Sequence, residues 1–228
     1  MNDSDDIPKE VAKTLTKETV REIGRFLEMV VGEPLKGIGG IASDQVSYWR
    51  YINLLKLKDK VDAIHVERAF EGKTLPIPPR YAIPIIETAS TEDNETIQDL
   101  WAGLIANAVD SSKRLSMNKR YIRILTDMEP LDAQVLELLM QDFDLKTKST
   151  PEEAQGLTVS QLSKAAGCSQ DEIQMSILNL YQMQCIVDYS GVTWTELNSK
   201  SIFTSTNKPD ARFQLSPLGI SLLEACKH

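Results

Sequence analysis

Few residues of this 228-residue chain are suited to making or breaking bonds. It has two histidines, His65 and His228, and three cysteines, Cys168, Cys185 and Cys226. His65 lies in the charged segment DAIHVERAF, with no nucleophile motif around it. A Ser/His/Asp or Cys/His relay has only that residue to draw on. A zinc site built on histidine lacks its ligands. Carboxylate pairs are more frequent: Glu87 with Glu92 and Asp93, Glu95 with Asp99, and Asp142 with Asp144. Helix caps and solvated faces account for them. No GxSxG, Walker, HExxH or dinucleotide fingerprint occurs. The chain therefore reads as a non-enzyme without metal or cofactor. One further group stands out: Asp44, Trp49, Arg50 and Asn53 fall within ten residues. On a helix, Asn53 takes an apolar position and needs a partner, which Asp44 or Arg50 could supply in a buried network. These four are the candidate binding or structural site.

Charge bounds the partners. Lys plus Arg number 25 and Asp plus Glu 33, a net of −8. Nucleic-acid affinity is built on phosphate contacts, so an acidic chain disfavours it. Two local basic clusters remain, Arg50–Lys56–Lys58–Lys60 and Lys113–Arg114–Lys119–Arg120–Arg123. Each reads first as a solvated face with partly buried stems. The odd cysteine count, the absence of CxxC and the acidic start MNDSDD favour a reducing cytoplasm. No run reaches the roughly 20 apolar residues of a membrane-spanning helix.

The elements that must position these residues are mostly helical. Residues 7–31 carry Ile7, Val11, Leu15, Ile23, Phe26, Leu27 and Val30 on one stripe. GEPLKGIGGIA, residues 32–42, breaks that helix and reads as a bent connector. A long helix is expected from Ser43, its cap, to about Phe70, with Val46, Trp49, Ile52, Asn53, Leu57, Val61 and Ile64 inward. Prolines 76, 78 and 79 force an extended stretch, and Pro84 opens a short helix, PIIETA. The strongest helical signal follows in TEDNETIQDLWAGLIANAVD, residues 91–110. Ile97, Leu100, Trp101, Leu104, Ile105 and Ala108 share one face, with Ser90 or Thr91 as cap. The short connection before it favours a helical hairpin. Trp49 and Trp101 are expected as buried anchors. NKRYIRILTDM, opened by Asn118, and PLDAQVLELLMQDF, with Leu131, Val135, Leu138, Leu139 and Phe143 inward, complete a helical domain over 7–145.

Beyond the polar linker 145–156 the grammar changes. LTVSQLSKAAG and CSQDEIQMSILNLYQMQCI read as two short helices, capped by Thr158 or Ser160 and by Ser169. IVDYSGV and SIFTSTNKPDARFQL read as strands about a long turn, and SPLGISLLEAC as a closing helix. Helix–turn–helix, β-ribbon, helix is the order of a winged-helix domain, placed at 157–228. The fold class is thus mainly α, with a small winged-helix-like α+β unit at the end. Its second helix, Gln170 to Gln184, holds no Lys or Arg and begins with Asp171 and Glu172. Residues 148–228 hold six basic and eight acidic residues, a net of −2. That is not the charge of a DNA reader, although Gln174, Asn179 and Gln182 are suitable base-contact types.

Three segments together resemble the abortive infection alpha family of bacterial proteins. They are Gly40–Lys60 with its D….WR..N core, PIIETASTED running into QDLWAGLIANA, and ILTDMEPLDAQVLE over 124–137. The resemblance covers roughly residues 10–145. It implies an all-helical bacterial protein associated with defence against phage, and no catalytic mechanism that can be carried over. The expectation is a defence protein acting by binding, with a protein partner or a second copy of itself. Two alternatives are a nucleic-acid-binding winged-helix regulator and an effector whose residues 29–57 lie on anionic lipid.

Overall fold

The structure, a computed structural model, describes residues 17–32, 45–113, 117–147, 156–188 and 211–227. The expected helical start at 7–16, the glycine-rich connector from residue 33, the cap Ser43 and most of the expected β-ribbon lie outside them. The described chain is mainly helical with one three-stranded antiparallel sheet. It divides into two compact units at Ile122/Arg123.

The first unit is organised on four helices: α1 (Lys17–Val31), α2 (Gln45–Glu67), α3 (Pro79–Ala89) and α4 (Glu95–Val109). Each begins or ends where its sequence allows. α3 starts at Pro79 rather than Pro84, five residues before the expected start. Proline suits a first helical turn because that N–H has no partner to lose. Pro84 then sits inside the helix and costs one backbone bond. Ser90 closes α3 instead of opening α4, its hydroxyl donating to the Glu87 carbonyl at 2.9 Å. The cap of α4 is Asn94, whose Oδ1 accepts from the Ile97 N–H at 3.1 Å.

α4 differs in kind from the amphipathic helix its stripe implies. Eleven of its fifteen residues are buried, including Gln98, Ala102, Gly103, Ala106 and Asn107 beside the expected stripe. A helix enclosed on nearly all sides is a central strut rather than a wall. Its chief neighbour is α2, with α3 carrying the chain back between them. Asn53 is level with Ser90, Lys56 with Glu95 and Lys60 with Asp99. The partners stay 37 to 39 residues apart in sequence, so α2 and α4 run parallel. The connector is tied down as well. Leu75 N–H donates to Val109 and Ile77 N–H to Val30, at 2.8 and 2.9 Å.

The second unit begins within α5 (Lys119–Asp127) and continues through α6 (Pro130–Thr147), β1 (Leu157–Thr158), α7 (Val159–Ala166) and α8 (Gln170–Gln182). β2 (Ile186–Asp188), β3 (Arg212–Leu215) and α9 (Pro217–Cys226) complete it. The sheet order is β1-β3-β2, with Leu157 opposite Phe213 and Val187 opposite Gln214. Both expected caps are present as reciprocal boxes, Thr158 with Gln161 and Ser169 with Glu172. Gly167 ends α7 at φ +72°, a left-handed conformation that favours glycine.

α6 groups with this second unit, whereas the sequence placed it in the first, ahead of a boundary at 145–156. The reason is burial: α6 packs on α7, α8 and β3, covering Val135, Leu136 and Leu139. Its inward face is rotated from the expected one. Leu136 and Ala133 are buried, while Leu131, Leu138 and Phe143 are half-buried.

Candidate functional site

Three of the four candidate residues are described. Asp44 lies outside the described residues. Trp49 is 56% exposed, which corrects its expected role as a buried anchor, and Arg50 is exposed beside it. The geometry of α2 explains both. Asn53 is already level with Ser90, ahead of the first residue of α4, so positions 49 and 50 lie past the end of that neighbour. Of the three described, Asn53 is the buried one, and its Nδ2 donates to the Ser90 carbonyl oxygen at 3.2 Å. Its partner is therefore a backbone group at the α3–α4 junction, not Arg50.

The basic segment of α2 meets acids. Lys56 reaches Glu95 at 3.0 Å, and Lys60 reaches Glu95 at 2.9 Å and also Asp99. Lys58 pairs with Asp62 at 2.9 Å, which raises its ammonium above the ordinary lysine value. The Glu95 carboxyl is held below the usual range by hydrogen bonds from Lys60 and then Lys56. A strip neutralised in this way has little charge to offer phosphate or lipid.

At the far ends of α2 and α4 lies a second polar group. Lys113 Nζ donates to Asn107 Oδ1 at 2.6 Å. Burial and then the Arg68 charge lower its ammonium, with Asp110 opposing them. Burial alone would raise the Asp110 carboxyl, but the Ser112 hydroxyl and N–H, at 2.6 and 2.8 Å, hold it low. Both helices present carbonyl ends here, where cations are favoured. His65 stacks on Phe70, ring centres 4.8 Å apart.

In the second unit the structure reveals a group that the sequence reading missed. Asp132 is buried, and Ser176 Oγ donates to its Oδ1 at 2.6 Å. The Glu129 N–H donates to Oδ2 at 3.1 Å. The signal was present in PLDA: a carboxylate at the third helical position, where it can reach back to the capping N–H. Burial raises its carboxyl, against hydrogen bonds from Ser176, Glu129 and Asn179. The pair joins the start of α6 to the middle of α8.

Two of the three thiols are enclosed. Cys185 and Cys226 are buried, Cys168 is half-buried, and burial pushes the Cys226 thiol well up. Among the described residues no three His, Cys, Asp or Glu gather as metal ligands. No described helix is long and apolar enough to cross a membrane. Asn53–Ser90, the α2–α4 ion pairs and Asp132–Ser176 tie helices to one another, while Lys113–Asn107 and Ser112–Asp110 are local to the end of α4.

Residues 50–226 match the family model described as Abortive infection alpha. No curated protein matches the chain, and no solved structure does.

Proposed function

The chain belongs to the abortive infection alpha family, and we propose that it is an antiphage defence protein acting by binding another macromolecule rather than by catalysis. The observation that carries this reading is the use made of the polar interior. Asn53 is bonded to Ser90, and Asp132 to Ser176 and Glu129. The Asn53–Ser90 and Asp132–Ser176 bonds each join two helical segments, and the Glu129 N–H caps α6. The neutralised lysines of α2 weigh against the lipid and nucleic-acid alternatives. The second unit supports a binding role through its element order. Helix, strand, helix, turn, helix and two strands, closed by a helix, is that of a winged-helix module. We assign that module to protein contact, in the bacterial cytoplasm.

Cells expressing the full chain, challenged with a panel of lytic phages, test the reading. Plaquing efficiency on at least one phage should fall by orders of magnitude. Full plaquing by every phage, with normal growth on overexpression, would overturn it. His65→Gln and Cys168→Ser should retain protection. Its loss in either folded variant would overturn the non-catalytic half.

A further inference from the structure

We draw no further inference here: the strongest candidate, the side-chain pair Gln98 and Trp101 on α4 in the core of the first unit, whose buried Oε1 and Nε1 atoms meet no hydrogen-bond partner among the described residues, carries nothing because no cavity among those residues shows what ligand would meet the two atoms.

Discussion

The Asn53 side chain donates to the Ser90 carbonyl oxygen at 3.2 Å, and both residues are buried. This bond fixes the level of α2 against the turn between α3 and α4. Asn53→Ala would leave a buried carbonyl without its donor and should cost about 1–3 kcal/mol. Urea denaturation of the full chain checks it. An unshifted first transition would remove Asn53 from this role.

The two tryptophans should part company. Trp101 is fully buried in α4, and Trp101→Ala should cost about 3–5 kcal/mol. Trp49→Ala, at a half-open position, should cost well under about 1 kcal/mol. Trp101 Nε1 is buried with no hydrogen-bond partner among the described residues. Trp101→Phe therefore loses no bond and should cost under about 1.5 kcal/mol. Thermal unfolding of the three variants decides the order.

Asp132 gives a dependence on pH with a defined sign. Burial raises its carboxyl in the folded protein above the unfolded value. Its contribution is then full at low pH and lost as pH rises through the folded value. Asn at this position can accept the Glu129 N–H and donate to Ser176 without carrying a charge. Asp132→Asn should therefore gain stability relative to the natural chain as pH rises from about 4 to about 7. A gap that narrows over that range would contradict the assignment.

Glu95 sits between Lys56 and Lys60, at 3.0 and 2.9 Å. Its folded carboxyl is held low, so its contribution is present above the unfolded value and lost as pH falls through the folded one. The site is open to solvent. Glu95→Gln should cost under about 1 kcal/mol, less still in high salt. Melting temperatures at low and high salt measure it.

Gly219 has a purely steric role. A Cβ there would lie 2.1 Å from the Cys185 carbonyl oxygen. That oxygen also accepts the Ser216 N–H at 2.9 Å, and Ser216 Oγ donates to Gln184 at 2.6 Å. Gly219→Ala should cost about 1–3 kcal/mol or more by forcing α9 off this turn. A limited-proteolysis pattern unchanged from the natural chain would show that the turn yields freely.

Local rules made much of this legible in the sequence. Ser169 with Glu172, Thr158 with Gln161 and Gly167 announce the limits of α7 and α8. The stripe of α4 names Trp101 correctly. Neighbours at long range decide the rest. Trp49 follows the apolar spacing of α2 but lies past the end of α4, and no periodicity encodes where another helix stops. Asn94, not Ser90 or Thr91, caps α4, because three adjacent capping types compete and tertiary contacts choose. α6 ends beside a polar linker, yet its partners α7, α8 and β3 follow that linker. PLDA announces Asp132 as a capping carboxylate but not its burial, because its other partner, Ser176, is 44 residues away.

The parallel course of α2 and α4 also governs how the first unit must form. Two helices joined head to tail by a short turn can zip together from that turn. These two cannot, since the Lys56–Glu95, Lys60–Glu95 and Lys60–Asp99 ties between them span 35 to 39 residues. The crossover through α3 has to close before any of those ties is made, which slows the search. During synthesis Leu54, Leu57 and Val61, buried in the folded chain, emerge well before α4, the chief neighbour of their helix. The nascent chain thus passes through an interval with an uncovered apolar helix, in which its fate depends on elongation rate and chaperones.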